Sequence, residues 1–355
     1  MISVLLLCLL STKLASGLQI GSLLSTCVDA CQRGCTEIRN VQTSRGLDNS
    51  GALKFELKDS QEPRSALTEA DGAAQRAIIG LLRAEWGDEL RIIGEEDDDH
   101  NISASTFLND VDFKSLCTDI FDDDIGETED IDASKVTIFV DPLDGTREFV
   151  EGRLANCQVL VGIAIEGESV AGAVGIPFPA GDMSTDSTIV YGLADMGCGV
   201  LGAPLTRGPY PLDHNIDGVK YPRPHHATGD SKAEVLIAIK DGVIEKFGGS
   251  NVNYGGAGNK ILGAALGEVA SSLSYKVGGP WDLCAPEAIL KAMGGKITDI
   301  FGEEIAMYRL DAPARSNERG YLATPPGSGD LFHEAYIAKI GSLPEVQKYR
   351  KELEK

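Results

Sequence analysis

Two aspartates three residues apart stand at the end of an apolar segment of this sequence. Residues 136–140 are β-branched and aromatic and predict a strand, which runs directly into DPLDGT, residues 141–146. Pro142 stiffens the backbone there, and Gly145 lets it approach a ligand closely. Two carboxylates so near each other repel unless a proton or a cation lies between them. The pattern is typical of a site for a hard divalent cation such as Mg²⁺, although a tight acidic turn with capping roles also explains it.

Three further acidic segments have the form that would complete such a site. Gly94-Glu95-Glu96 follows a short predicted strand, Thr68-Glu69-Ala70-Asp71 opens a predicted helix, and Trp281-Asp282 opens another. Each alone is explained as a strand end or a helix cap, because Asp at a helix start commonly satisfies free backbone N–H groups. It is their joint presence, in this order, that makes the set specific.

The elements that must position these residues alternate without a strict βαβ rhythm. Residues 19–41 predict a helix, since apolar residues recur there near helical spacing: Leu23, Cys27, Cys31, Cys35 and Ile38. The other predicted elements are helices over 68–85, 258–267 and 281–293, a hairpin over 159–166 and 169–176, and strands over 55–57, 91–94, 235–239, 271–275 and 296–300. We therefore expect a layered α/β or α+β protein with mixed sheets.

The composition limits what the chain can bind. Its 355 residues include 32 Lys and Arg against 54 Asp and Glu, which gives a formal net charge of −22. Because phosphates would be repelled at long range, we expect neither a nucleic-acid polymer nor an anionic membrane surface as the main partner. A small phosphate ligand stays compatible with this charge if cations lie between protein and phosphate. The length favours one large domain or two fused halves with a break near residue 200.

The first residues of the chain allow two interpretations. Residues 2–10 form an apolar run too short to span a bilayer, and Ala15-Ser16-Gly17 resembles a small-residue cleavage site. No Lys or Arg precedes the run, so residues 1–17 are either a targeting segment or the start of the first helix. Asn101-Ile102-Ser103 is a glycosylation sequon, a triplet that is common by chance.

The cysteines and a long acidic segment have less bearing on chemistry. The spacing of the eight cysteines does not match a zinc site. Cys27, Cys31 and Cys35 would share one helix face, as small core residues or, in the alternative, as a thiol metal site. Residues 110–132 are strongly acidic and predict a solvated insertion.

The four motifs TEAD (68–71), GEED (94–97), DPLDGT (141–146) and WDLCAPE (281–287), in this order, resemble the lithium-sensitive, Mg²⁺-dependent phosphomonoesterases of the inositol monophosphatase superfamily. The continuation of DPLDGT to Gly152 and the segment GGAGNK, residues 255–260, resemble its bisphosphate nucleotidase branch more closely. The resemblance runs from about residue 23 to the C-terminal region. It implies an α/β (α+β layered) fold, an αβαβα sandwich of the inositol monophosphatase type. It also implies Mg²⁺ as cofactor, two or three ions, and inhibition by lithium.

The resemblance also implies a role for individual residues. The metal would be bound by carboxylates and one backbone carbonyl, those of Glu95, Asp141, Asp144, Asp282 and, through its carbonyl, Leu143. Asp71 and Thr146 would orient and deprotonate the attacking water. The backbone amides of Gly145 and Thr146 would hold the phosphate, and the substrate would further contact Gly256, Lys260 and Asp282.

The sequence departs from the nucleotidase pattern upstream of GGAGNK. A Thr and a His that contact the nucleotide in that branch align with Ala227 and Asp230 here. His225 and His226 are near enough to take that role, or they belong to a solvated loop. The departure leaves the phosphatase chemistry intact but puts the nucleotide preference in question.

The activity implied by the resemblance is removal of the 3'-phosphate from adenosine 3',5'-bisphosphate, which gives AMP and phosphate. An inositol (poly)phosphate 1-phosphatase is the alternative among enzymes, and a silent acidic metal-binding scaffold is the alternative outside them. We expect a small phosphate molecule as partner, no stable membrane span, and a monomer or homodimer. The expected divisions are a segment of residues 1–18, an N-terminal half of residues 19–200 and a C-terminal half of residues 201–345. The expected compartment is the cytoplasm, or a secretory or organelle lumen if residues 1–17 are cleaved.

Overall fold

The structure, a computed structural model of the chain, describes residues 18–47, 55–57, 66–88, 90–96, 131–205, 207, 212–216, 219–222, 225–309 and 317–355. The expectations on residues 1–17, on the sequon at Asn101 and on nearly all of the acidic segment 110–132 lie outside these ranges. Within the described part of the chain, no helix has the length and apolar character needed to cross a membrane.

Eight α-helices are numbered here in chain order within the described ranges. They are α1 (Ile20–Leu47), α2 (Glu69–Trp86), α3 (Thr146–Val150), α4 (Glu234–Phe247), α5 (Ala257–Ala265), α6 (Cys284–Ala292), α7 (Asp330–Gly341) and α8 (Pro344–Leu353). Short 3₁₀ turns lie at Ala133–Lys135, Leu154–Asn156 and Pro280–Asp282.

The strands of the same ranges form two larger sheets and two hairpins. The strands are β1 (Phe55–Leu57), β2 (Ala66–Thr68), β3 (Arg91–Gly94), β4 (Val136–Asp144), β5 (Gln158–Ile165), β6 (Glu168–Ile176), β7 (Thr188–Leu193), β8 (Gly197–Gly202), β9 (Leu212–Ile216), β10 (Val219–Pro222), β11 (His225–Thr228), β12 (Ser250–Asn253), β13 (Ser271–Ser274), β14 (Lys296–Thr298) and β15 (Tyr321–Thr324). The hairpins are β1–β2 and β9–β10.

The larger sheet has the strand order β3-β4-β5-β6-β7-β8. Strands β3 and β4 are parallel, and every later neighbour is antiparallel. All nine residues of β4 are buried, because helices cover both faces of the sheet there. The pairing of β4 with β5 shifts register between Asp141 and Asp144, and such a bulge bends a strand and re-aims its side chains. The strand therefore continues beyond its predicted end and carries both aspartates.

The smaller sheet has the order β12-β11-β13-β15-β14. Its first three strands are parallel, and β15 runs antiparallel to both of its neighbours. The carboxyl ends of β11 and β12 consequently meet at one edge, where the segments after Thr228 and Asn253 leave the sheet together.

Apolar side chains fill the spaces between five layers. Helices α1 and α2 pack on one face of the larger sheet. Helices α5 and α6 lie between the two sheets, and α4, α7 and α8 cover the outer face of the smaller one. The αβαβα order expected from the family resemblance is confirmed.

The three cysteines of α1 face the core. Cys27, Cys31 and Cys35 are fully buried, and burial raises the pKa of each thiol. The Cys31 thiol donates to the backbone oxygen of Ala173 at 3.3 Å. A buried, protonated thiol is a poor metal ligand, so these residues act as packing groups.

Two predicted elements differ in the structure. The strand expected over 235–239 is the beginning of α4, whose buried residues recur at helical spacing: Val235, Leu236, Ile239, Val243 and Phe247. The helix expected over 281–293 is divided into the turn Pro280–Asp282 and helix α6. A helix that started at Trp281 would need a backbone N–H from Pro286, which proline lacks, whereas Pro286 is tolerated in the first turn of α6.

Candidate active site

Three carboxylates from distant parts of the chain meet at the end of the larger sheet. Oxygen atoms of Glu95, Asp141 and Asp282 all lie within 4.8 Å of one another. Glu95 directly follows β3 and Asp141 lies in its parallel neighbour β4, and the Glu95 N–H donates to the Val140 carbonyl at 3.0 Å. Asp282 comes from the turn that precedes α6. The sheet thus fixes two of these side chains, and the turn brings the third.

The electrostatics of this cluster favour a positive ligand. Burial, followed by repulsion from Glu95, Asp144 and Asp282, raises the pKa of Asp141 well above its usual range. Burial, followed by the charges of Glu95 and Asp144, raises the pKa of Asp282 to about 8. Carboxylate oxygens are the donors that Mg²⁺ prefers, and a divalent cation would relieve this repulsion. The donor set therefore fits the expected metal.

The carboxylate of Asp144, an expected metal ligand, lies at the N-terminus of α5. It accepts hydrogen bonds from the N–H groups of Ala257 and Gly258 at 3.0 and 2.8 Å, and it lies 3.4 Å from the N–H of Asn259. Asp144 therefore caps the N-terminus of α5, where a negative charge is favourable. Burial raises its pKa to about 6, with the Lys260 charge acting in the opposite direction. Asp144 is near enough to raise the pKa of Asp282, although the three-carboxylate cluster does not include it.

Gly256 lies against the Asp144 carboxylate that caps α5. Its φ of +75° lies in the region that favours glycine, and a Cβ atom there would come within 2.5 Å of an Asp144 carboxylate oxygen. The family resemblance implies a substrate contact for Gly256. The structure shows that the residue also permits the close approach of Asp144 to α5.

A hydroxyl and a carboxylate lie beside the metal cluster in hydrogen-bond contact. The Thr146 hydroxyl is 2.8 Å from Asp71 Oδ1 and 3.0 Å from the Leu143 carbonyl. The other oxygen of Asp71 accepts from the N–H and the hydroxyl of Thr68, at 2.8 and 2.7 Å. This is the predicted capping box at the start of α2, and it leaves Asp71 Oδ1 turned toward Thr146.

The backbone turn that carries Thr146 depends on Gly145. Its φ is +89°, and a Cβ atom would lie 2.9 Å from the Asn156 carbonyl. The Leu143 N–H donates to Asp141 Oδ1 at 3.0 Å, which fixes that carboxylate relative to the turn. The DPLDGT segment thus holds Asp141 and Thr146 in one rigid piece.

Lys260 supplies a buried positive charge on α5. Its ammonium donates to the carbonyls of Gly256 and Tyr254. Burial lowers its pKa, while Asp144 and Asp282 act to raise it. Lys260 lies within electrostatic reach of the acidic cluster, and its two hydrogen bonds stabilise the loop before α5.

His225 and His226, which the sequence left open as nucleotide contacts or as loop residues, lie in the smaller sheet. Both lie on strand β11 rather than in a solvated loop. His226 is buried, its ring nitrogens lie 3.0 Å from the Ser271 hydroxyl and from the Gly248 carbonyl, and burial lowers its pKa to about 4. Ala227 is buried as well, whereas Asp230 follows the strand at its carboxyl end.

The sequence did not single out Glu148 and Asn259, which organise the wall of the site. Glu148 accepts two hydrogen bonds from the Arg153 guanidinium and one from the Asn156 amide. Asn259 donates to Asn156 at 3.1 Å and accepts from Arg207 at 2.6 Å. Both residues lie in or beside recognised motifs, since Glu148 follows DPLDGT and Asn259 lies within GGAGNK. The sequence of a motif does not show which distant residues its polar side chains will contact.

Comparisons with known proteins identify a family, related sequences and a related structure. A model of the inositol monophosphatase family matches residues 26–343. The 3'(2'),5'-bisphosphate nucleotidase 1 of Dictyostelium discoideum is 30% identical over 333 residues, 90% of this chain and 96% of that protein. The Golgi-resident adenosine 3',5'-bisphosphate 3'-phosphatase of Rattus norvegicus is 27% identical over 336 residues, 92% of this chain and 82% of that protein. The crystal structure of inositol monophosphatase-II from Staphylococcus aureus shares the fold, with a TM-score of 0.60 at 18% identity, 91% of this chain and 96% of that chain.

Proposed function

The chain belongs to the inositol monophosphatase family, and we propose that it is a metal-dependent phosphatase that hydrolyses the 3'-phosphate of adenosine 3',5'-bisphosphate to AMP and phosphate. The observation that carries the proposal is a three-carboxylate cluster whose Asp141 shares the DPLDGT segment with Thr146, the hydrogen-bond partner of Asp71. The names of the relatives from Dictyostelium discoideum and Rattus norvegicus support the choice of substrate.

Glu95, Asp141 and Asp282 would hold the metal. Asp144, whose charge acts on Asp282, and the Leu143 carbonyl, two residues beyond Asp141, would add the further donors that the family resemblance implies. Bound Mg²⁺ would neutralise the substrate phosphate and lower the pKa of a water molecule. The carboxylates otherwise repel both one another and a phosphate dianion, so substrate binding in a chain of charge −22 depends on this neutralisation.

Thr146 and Asp71 would move the proton that the attacking water loses. The Thr146 oxygen accepts that proton while its own hydroxyl proton passes to Asp71 Oδ1, 2.8 Å away. Thr146 alone is too weak a base, and the adjacent carboxylate makes the transfer feasible. The two hydrogen bonds from Thr68 keep the other Asp71 oxygen fixed, so that the receiving oxygen stays aimed at Thr146.

The backbone amides of Gly145 and Thr146 would hold the phosphate, and Gly256 and Lys260 would lie against the rest of the substrate. Gly145 has no side chain to cover its backbone, and its positive φ is one that glycine adopts readily. The buried Lys260 ammonium adds a positive charge within electrostatic reach of Asp144 and Asp282. Positioning and charge stabilisation supply most of the rate in phosphoryl transfer, and these groups provide both.

A substrate panel in the presence of Mg²⁺ tests the proposal. We expect kcat/KM for adenosine 3',5'-bisphosphate to exceed that for inositol 1,4-bisphosphate by at least about tenfold, a difference of roughly 1.4 kcal/mol in transition-state binding. Asp141→Asn is the control for contamination, and it should abolish release of phosphate. A preference for the inositol phosphate would favour a polyphosphate 1-phosphatase, and no turnover of either compound would favour a silent metal-binding protein.

The compartment that we propose is the cytoplasm, with a secretory or organelle lumen as the alternative if residues 1–17 are cleaved. Sequencing the N-terminus of the mature protein tests this, since a start after Gly17 would indicate a lumenal enzyme.

A further inference from the structure

Arg147, the residue after Thr146, extends its side chain to a second segment of the chain. Its Nη1 lies 2.9 Å from Asp230 Oδ2, and its Nε lies 2.8 Å from Glu151 Oε1. The side chains of Arg147 and Asp230 are 37% and 47% exposed. Exposed ion pairs of this kind are weak, so an anionic ligand could replace either carboxylate.

Asp230 lies where a ligand of this fold would be expected. It follows β11, whose carboxyl end lies beside that of its parallel neighbour β12, and β12 leads into the GGAGNK segment. Ligands of layered α/β proteins bind in crevices outside the carboxyl ends of such strands. Arg147 lies at the start of α3, one residue beyond the predicted phosphate-holding turn, and its contact with Asp230 links that turn to the end of β11.

One cation contacts Asp230, and two more lie within electrostatic reach of it in this strongly acidic chain. Besides Arg147, the ammonium groups of Lys240 and Lys260 are near enough to be attracted by the Asp230 carboxylate. Lys240 also donates to the Gly229 carbonyl at 2.6 Å, which ties it to the same loop. The Glu151 carboxylate also forms an ion pair with Arg147, and it forms a second ion pair with the Arg153 guanidinium. The Asp230 carboxylate, paired with Arg147 and attracted by two lysines, occupies a position that suits a phosphate.

We propose that Arg147 binds the second phosphate of the substrate, the one that is not hydrolysed, and that Asp230 holds Arg147 until that phosphate displaces it. The planar guanidinium can donate two parallel hydrogen bonds to phosphate oxygens. The phosphate would take the place of the Asp230 carboxylate in these contacts. The inference rests on the proposed function, since it requires a substrate with two phosphates. It makes Arg147 the residue that distinguishes a bisphosphate from a monophosphate.

Competition kinetics on the Mg²⁺-loaded full-length chain test this inference. Hydrolysis of adenosine 3',5'-bisphosphate is measured for the unaltered protein, Arg147→Gln and Asp230→Asn, with 5'-AMP and 3'-AMP each added as competitor. Arg147→Gln should raise KM for the bisphosphate and the inhibition constant of 5'-AMP by roughly ten- to a hundredfold, because a charged hydrogen bond is lost. The inhibition constant of 3'-AMP should stay within about twofold, since 3'-AMP lacks the second phosphate.

The second variant changes binding in the opposite direction. Asp230→Asn should lower KM for the bisphosphate by about two- to fivefold, because Arg147 no longer has to leave an ion pair. Lys135→Gln is the matched control, since Lys135 forms an exposed ion pair with Glu166 away from the site.

Equal weakening of 5'-AMP and 3'-AMP in Arg147→Gln, or an unchanged 5'-AMP constant, would overturn the inference. So would a rise of KM in Asp230→Asn. Failure of the unaltered protein to hydrolyse the bisphosphate would instead refute the proposed function, and the two failures are therefore distinguishable.

Discussion

Replacing Thr146 by valine tests the proton-transfer pair with little change in shape. The hydroxyl lies 2.8 Å from Asp71 Oδ1 and 3.0 Å from the Leu143 carbonyl, and valine removes both contacts while keeping the β-branched side chain. General-base catalysis contributes about 10²- to 10⁴-fold to rate, so kcat should fall by that factor. The lost, partly buried hydrogen bond should lower the free energy of unfolding by about 1 to 2 kcal/mol.

The assay is phosphate release from adenosine 3',5'-bisphosphate at saturating Mg²⁺, together with urea unfolding and calorimetric Mg²⁺ binding. Thr146→Ser is the matched control, because it keeps the oxygen and should retain activity within about tenfold. Mg²⁺ affinity should be unchanged in Thr146→Val, since the hydroxyl is not among the three clustered carboxylates. A variant that kept kcat within about threefold of the unaltered protein would refute the proton-transfer role of the pair.

The close approach around Asp144 and the raised pKa of Asp282 give two further predictions. Gly256→Ala should destabilise the chain by about 1 to 3 kcal/mol more than Gly248→Ala. Both glycines have a φ of +75°, but only a Cβ atom at Gly256 would come too close to Asp144. Urea unfolding of the two variants measures the difference. Without metal, the folded chain retains a proton on Asp282 up to about pH 8, whereas the unfolded chain loses it near pH 4. Because the folded state binds more protons in that window, the free energy of unfolding in EDTA should fall as pH rises toward 8, by up to about 1.4 kcal/mol per pH unit. Asp282→Asn should reduce this slope. A free energy of unfolding that rose over this range would contradict the account.

The sequence predicted well those features that depend on neighbouring residues. The capping box of Thr68 and Asp71 needs only a spacing of three and a helix start, and it forms as expected. The strand before DPLDGT was recognisable from its β-branched and aromatic residues, because such a run has few alternatives when it ends in Asp-Pro. The order of the layers followed from the family resemblance.

Features that depend on packing could not be predicted. Residues 235–239 are apolar enough for a strand, and only their burial against the outer face of the smaller sheet selects the helix. The preference of Asp144 for the N-terminus of α5 requires two segments more than 110 residues apart to meet, and no local pattern indicates it. The network around Glu148 likewise becomes visible only when its partners are placed.

The most direct test of the central claim is a calorimetric titration of the metal-free chain with Mg²⁺, compared with Asp141→Asn. Glu95, Asp141 and Asp282 share one site in the structure, and Asp141 is the most deeply buried of them. The account predicts saturable Mg²⁺ binding that Asp141→Asn weakens by at least about tenfold, because a charged ligand is replaced by a neutral amide. Equal Mg²⁺ affinity in the two proteins would show that the three carboxylates do not form the metal site.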